Sequence, residues 1–423
     1  MNRNKLLFLL FATLLLDMIG VGMLIPIIPS LFTDPTSTSF LLTGYGETSR
    51  YVIAGLVTAL FGFMQFLAAP ILGELSDLYG RKKLLAIGVG TLAIANLVFA
   101  FGIEIASLSV LLFSRAIAGV AGANFSIAQA AIADVTRPED RAKSFGLIGA
   151  AFGLGFILGP LLGGFITGAT GNPAIPFLFA GMLGVVNLLM VSFVFPETHV
   201  VAPQRGSLSL MKAFHNIEAA WRDVDVRPVY AASFLSMLGF AFFTSFITVF
   251  LVERFGFSET DTGIYFAVVG LWIIFAQVVV VRFVSARYGE RIILLWTLPI
   301  LALVIALQGF APNVIFLYAL MPIMASMFGL MSTAIPALVS KGVSAESQGA
   351  ALGINGSLQA LTQGIAPVAA GVVSGIFGLT TAFVFGAALA CVSAEVIRRS
   401  RVGLAKEGVR TSPTASPKRM SGI

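Results

Sequence analysis

The amino-acid sequence predicts an all-α integral membrane fold, with twelve transmembrane helices in two pseudo-symmetric six-helix bundles. Three observations carry the prediction. Of 423 residues, 57% are hydrophobic and 11% charged, giving a mean hydropathy of +0.96, whereas about a quarter of the residues of soluble domains are charged. One bilayer crossing takes ~20 apolar residues, and such windows fall at 6–30, 49–75, 83–103, 107–133, 142–168, 174–196, 228–254, 260–282, 291–310, 314–340, 345–373 and 377–397. Finally, the second half echoes the first. "PLLGG" at 160–164 matches "PVAAG" at 367–371, an offset of 207 (367 − 160), which Glu139/Glu346 and Gly146/Gly353 share. "SDLYGRK" at 76–82 finds a degenerate copy, "SARYGER", at 285–291, an offset of 209 (285 − 76). Paired halves of this kind suit a transporter.

The charges predict which side is inside. Arg50 and Arg254 lie beside the loops after odd-numbered spans and Arg115 lies within a span. The other 23 of the 26 Lys and Arg (26 − 3) lie at the termini or beside the alternate loops, as at Arg81, Lys82 and Lys83, or Arg282, Arg287 and Arg291. Cationic loops resist translocation, so both termini are expected in the cytoplasm. The net charge of +6 is thereby explained, and its scatter among loops excludes the clustered basic face that nucleic acid requires. The opening "MNRNKLLFLLFATLLLD" imitates a signal peptide, but no small-residue cleavage site follows, and it is read as a retained first span.

The expected organisation is an N-terminal bundle at 1–196, a linker at 197–227, a C-terminal bundle at 228–397 and a disordered Pro/Ser-rich tail at 398–423. In the linker, Leu210, Phe214, Ile217 and Trp221 have the spacing of an amphipathic helix on the inner membrane face, though a plain connector is equally compatible. The lone Cys391 excludes an internal disulfide and is expected to pack in its apolar window.

Four groups of residues stand out against the apolar background. The short loop "GELSDLYGRKK" joins the second and third spans, and Gly73, Asp77, Gly80 and Arg81, with Asp134 at the end of the fourth span, are the expected gating set. There an anion can lie against a helix N-terminus and Arg81 can pair with Asp134. Asp17 and Arg115 are the ionisable residues well inside spans. An ion at mid-membrane costs at least ~2.5–3.5 kcal/mol, so one that persists usually works. Burial disfavours a charged carboxylate and a neighbouring arginine favours it, so the pair is the candidate for proton coupling; a static bond between helices is the alternative. Gly155, Gly159, Gly163 and Gly164 form small-residue steps read as lying on one helix face, with Pro160 among them, allowing close helix approach. Finally, Asn355, Gln359 and Gln363 share one face of the eleventh span and Ser236, Thr244 and Thr248 one face of the seventh. Such groups are expected to line a central cavity or bond across helices, together with Gln65, Asn124, Trp272 and Gln277. Met321, Met324, Met327 and Phe328 are candidate adaptable walls, or ordinary packing.

At these motifs the chain resembles the major facilitator superfamily. "GELSDLYGRKK" is similar to its loop motif, and "LDMIGVGMLIPIIP" (16–29), "SRAIAGVAGAN" (114–124) and "GFILGPLLGG" (155–164) are similar to the first-, fourth- and fifth-span motifs of its twelve-span drug:proton antiporters. "MQFLAAPILG" (64–73) resembles the tetracycline-efflux branch. The resemblance implies a rocker-switch exporter in a bacterial inner membrane, exchanging a cytoplasmic small molecule for a proton. It departs from tetracycline exporters where those carry carboxylates in the third and ninth spans and a histidine in the eighth. Here 84–102, 264–281 and 292–310 contain none, and Asn96 and Gln277 are the polar residues near those regions. The expected substrate is therefore a small amphipathic organic compound, tetracycline-like or multidrug in character. Import of a metabolite such as a sugar by proton symport or facilitation is the alternative, since one fold serves both directions. No HExxH or Walker motif points to an enzyme, and no cofactor or metal is expected; a monomer in the lipid bilayer is compatible with everything above.

Overall fold

The structure is a computed structural model that describes residues 3–136, 141–198, 215, 218, 226–344 and 347–400. Within these residues twelve helices are long and apolar enough to cross a membrane. They are α1 (Arg3–Gly22), α2 (Glu47–Tyr79), α3 (Arg81–Glu104), α4 (Leu108–Val135), α5 (Arg141–Thr170), α6 (Ile175–Phe193), α7 (Arg227–Phe255), α8 (Glu259–Ser285), α9 (Glu290–Gly309), α10 (Val314–Lys341), α11 (Gln348–Phe377) and α12 (Thr380–Arg399). The linker helix suggested by Leu210, Phe214, Ile217 and Trp221 lies outside the described residues, as do Glu139, Glu346 and the tail beyond residue 400.

Three departures from the sequence expectation have local causes. The first span was expected to run to residue 30, but α1 stops at Gly22; Pro26 and Pro29 offer no backbone donor, and turns lead into a buried one-turn helix, Ile28–Phe32. α4 is interrupted at Ala123, between Leu108–Gly122 and Asn124–Val135. There the Gln65 amide donates to the Gly122 carbonyl at 3.0 Å, satisfying an acceptor the break sets free. Cys391 is exposed on α12 rather than packed inside.

Helices α1–α6 and α7–α12 form two bundles that meet along two seams, α2 against α11 and α5 against α8. The seams are related by the repeat seen in the sequence. A Cβ at Gly263 of α8 would lie 2.8 Å from the Pro160 carbonyl oxygen of α5, and a Cβ at Gly55 of α2 would lie 2.8 Å from the Pro367 carbonyl carbon of α11. The two prolines are 207 positions apart (367 − 160) and the two glycines 208 (263 − 55), so the same close approach is built twice.

One end of the molecule carries Asp34, Glu47, Glu104, Glu259 and Asp261; the other carries Arg81, Lys82, Lys83, Arg287 and Arg291. The close seam contacts at glycines run from mid-span, as at Gly62–Gln363 and Gly270–Ile157, to the acidic end, as at Thr48–Gly375, Tyr51–Gly371 and Thr260–Gly168. Continued along the same helical stripes toward the basic end, Gly73, Gly149, Gly153, Gly353 and Gly356 face nothing within 4 Å of a notional Cβ. The bundles are therefore together at the acidic end and apart at the basic end, with a vestibule between them.

Candidate functional site

Asp17 lies in the C-terminal third of the apolar α1, 6% exposed. Asn187 of α6 donates its amide N–H to Asp17 Oδ1 at 3.0 Å, and Asn124 of α4 donates to Oδ2 at 3.4 Å. Among the described residues no cation pairs with it. Arg115, 3% exposed, is held instead between rings, its guanidinium carbon 5.1 Å from the centre of Phe61 and 5.7 Å from that of Phe99. Its Nε makes no hydrogen bond. Asp17 and Arg115, paired in the sequence reading, are thus separate sites in this state, and Asn124, expected to line the cavity, is a partner of Asp17. Asn187 went unnoticed in the sequence; its signal was a lone amide in the middle of an otherwise apolar sixth span.

The loop between α2 and α3 is a single residue, Gly80, at φ +94°, a conformation that favours glycine. Beside it the buried Arg81 is a hub: its side chain pairs with Asp77, donates to Asp134 Oδ2 at 3.1 Å and donates to Ser76 Oγ at 2.5 Å. The Glu197 carboxylate accepts from the Arg81 and Lys82 backbone N–H groups at 2.8 and 3.2 Å, capping the start of α3. Asp77 is 54% exposed and its partner Arg81 belongs to the same bundle.

The glycines of α5 do not share one face. Gly155, Gly159 and Gly163 press against Met18, Gly22 and Met23 of α1 and its C-terminal turn, whereas Gly164, one residue on and so about 100° around the helix, meets Glu259 of the other bundle. Pro160, inside the helix, supplies the carbonyl that faces Gly263. This one segment therefore joins α1, which carries Asp17, to the seam between bundles.

In the second bundle several polar residues are hydrogen-bonded within the bundle. Ser236 donates to the Ala232 and Ser233 carbonyls, and Thr244 to that of Ala241, bonding back along their own helix. Asn355, 3% exposed, accepts from Ser233 Oγ at 2.6 Å. Met321 and Met324 are core residues, the latter's sulfur accepting from the Gln308 amide at 3.2 Å. On α11, Gln363 is exposed, with its backbone packed on Gly62 at the α2–α11 seam, and Gln359 is half-buried. Gln277 sits in a π-helical turn of α8 (Ala276–Val281), a departure that commonly marks functional positions. Nearby on α8, Trp272 packs edge-on to Phe275 at 5.7 Å, and Phe240 stacks on Phe328 at 4.3 Å between α7 and α10. Among the described residues no group of His, Cys, Asp and Glu could hold a metal.

At the acidic end the Tyr51 phenol of α2 reaches across the bundles to Glu253 Oε2 of α7 at 2.6 Å, with Glu47 Oε1 at 3.2 Å. Thr48 donates to the Gly375 carbonyl at 2.6 Å and Thr260 to that of Gly164 at 3.2 Å, one on each seam. A cleft of about 600 Å³ lined by Asp34, Glu47, Arg50, Tyr51 and Glu253 lies over this closure.

These features sit within a wider likeness. The sequence profile of the Major Facilitator Superfamily matches residues 10–286 and 229–416. The chain is 31% identical over 405 residues to the class C tetracycline resistance protein of Escherichia coli, covering 94% of this chain and 98% of that protein. It is 28% identical to the quinolone resistance protein NorA of Staphylococcus aureus (strain MSSA476), covering 87% of this chain and 89% of that one. In structure it resembles the human organic anion transporter MFSD10 (TETRAN), with a TM-score of 0.72 at 23% identity over 94% of this chain and 100% of that one, a likeness of fold. The chain therefore belongs to the major facilitator superfamily of membrane transporters and, within it, to the tetracycline-efflux branch.

Proposed function

We propose that the chain is a proton-coupled efflux antiporter for a small amphipathic organic compound, tetracycline-like or multidrug in character, working by alternating access. The observation that carries this reading is Asp17, a carboxyl buried within the first span among amides, with no counter-charge among the described residues. Ionised, such a group costs several kcal/mol in an apolar surround; taking and giving up a proton is the natural way to relieve that cost. A polar or cationic group on an arriving compound favours the ionised form, so loading of compound and loss of the proton are reciprocally linked.

The excess of Lys and Arg at the basic end supports a cytoplasmic position for that end and for both termini, in a bacterial inner membrane. The vestibule would then admit compounds from the cytoplasm. On this reading the bundles 1–196 and 228–397 rock about the 197–227 linker, with 398–423 as a tail. The Arg81 hub holds the loop that meets the other bundle when the basic end closes, and there the exposed Asp77 lies against a positive helix N-terminus. Gln363 and Gln359, with Trp272 and Gln277 deeper in the second bundle, supply neutral polarity and aromatic surface for the compound.

Retention of doxycycline and a panel of amphipathic dyes in a drug-sensitive bacterium expressing the chain tests the reading. Lower retention that an uncoupler restores is expected. Gradient-driven accumulation above the vector control contradicts it and points to import.

A further inference from the structure

The two amides on Asp17 are not equivalent, and the difference assigns the proton to one oxygen. Asn187, wholly buried, uses both amide hydrogens, one on Asp17 Oδ1 at 3.0 Å and one on the Thr13 carbonyl at 3.1 Å. Turned over, it would set its own oxygen against that carbonyl, so the main chain of α1 fixes it as a donor whatever the state of Asp17. Oδ1 is therefore a permanent acceptor. Asn124 has no such tether. Its hydrogen bond is the long one, 3.4 Å, to Oδ2, and its Oδ1, like that of Asn187, is buried without a partner, so the tether to Thr13 is what separates the two amides. The amide lies over Gly88 of α3, where a Cβ would come within 2.6 Å of its Cγ and 2.9 Å of its Nδ2, so the space it occupies exists because residue 88 has no side chain.

We propose that Asp17 takes its proton at Oδ2 and that Asn124 is the residue that adjusts to it. With Asp17 ionised, Asn124 donates N–H to Oδ2. When a proton arrives from water and the O–H bond forms at Oδ2, the amide turns over about its last side-chain torsion and Asn124 Oδ1 accepts that hydrogen. Loss of the proton to water reverses the turn, and no other bond changes. Asn187 is a positioning residue that keeps Oδ1 occupied and so directs the proton to the other oxygen. The arrangement holds both forms of a buried carboxyl without a counter-ion, which explains how Asp17 stands within the first span with Arg115 engaged elsewhere.

The helices packed around α1 bring no competing titratable group to this position. α6 carries no ionisable residue, α5 has Arg141 and Lys143 in its first turn alone, α3 is charged only at its ends, and the second segment of α4 has only Asp134, at its far end. On the first segment of α4, Arg115 rests on Phe61 and Phe99.

The proposal rests on the reading that Asp17 carries the transported proton, and pH-difference infrared spectroscopy of the purified full-length protein separates the two. A protonated-carboxyl C=O band present in the wild type and absent from Asp17→Asn identifies Asp17, and its midpoint follows its titration. With ¹³C-labelled asparagine, an amide band is expected to shift with that same midpoint and to be lost in Asn124→Leu. In Asn124→Leu the ionised form loses a charge-assisted bond, and the Asp17 midpoint is expected to rise by about one pH unit. An Asp17 band whose midpoint is unchanged in Asn124→Leu, or that titrates without any amide shift, overturns the role of Asn124 and leaves Asp17 as the proton site. Absence of any Asp17 band overturns both readings. Should Asn124→Leu fail to fold, the labelled wild type against labelled Asp17→Asn decides alone, since the amide shift must vanish when Asp17 cannot titrate.

Discussion

The Tyr51 hydroxyl lies 2.6 Å from Glu253 Oε2, a hydrogen bond that joins α2 of one bundle to α7 of the other at the closed end of the transporter. It can exist only while that end is shut. Tyr51→Phe removes it without changing shape, and a hydrogen bond to a charged group contributes about 1.5–3 kcal/mol, so the ratio of closed to open acidic ends is expected to fall by about ten- to a hundredfold. Spin labels at Tyr45 and Ser258, on a Cys391→Ser background because that thiol is exposed, would read this as growth of a longer distance. An unchanged distribution would show that the seams alone hold the end shut.

The seams make a paired prediction. A side chain at Gly55 has no room beside the Pro367 carbonyl, whereas Gly353, on the open part of α11, faces empty space. Gly55→Val is expected to keep the acidic end from closing and Gly353→Val to keep the basic end from closing. Both should abolish flux, with opposite patterns of labelling by a membrane-impermeant thiol reagent from the two sides. The same pattern in both would contradict the assignment of the open and closed ends.

Arg81 holds Asp77, Asp134 and Ser76 at once. Lysine keeps the charge but not the fork that grips several partners together. Arg81→Lys is therefore expected to cost ~1–3 kcal/mol, read as a lower Tm of the detergent-solubilised protein, and Arg81→Ala more. An unaltered Tm in both would reduce the hub to a surface contact.

The fold was legible because its signal is spread over hundreds of residues: windows of ~20 apolar side chains, alternating basic loops and the 207-residue echo between Pro160 and Pro367. Asp17 was legible for a related reason, since one carboxylate contrasts with an apolar helix. Its partners were not. Which faces α1, α4 and α6 turn to one another is fixed by packing, and Asn187 carries no local mark of that choice. Glu253 was hidden by position, at the end of a span where acids are ordinary. Ser236 and Thr244 need no partner across helices, because a hydroxyl, unlike an amide, can satisfy itself on its own helix. The likeness between Gly155, Gly159, Gly163 and Gly164 concealed a division of labour that only helix geometry separates.

The most direct measurement of the central claim is proton movement in inside-out vesicles carrying either the wild type or Asp17→Asn, with an imposed pH gradient, while tetracyclines and other amphipathic compounds are added in turn. The account predicts that at least one compound discharges the gradient through the wild type and none does so through Asp17→Asn. Equal discharge by both forms would contradict it, because the proton would then travel by a route that does not include Asp17.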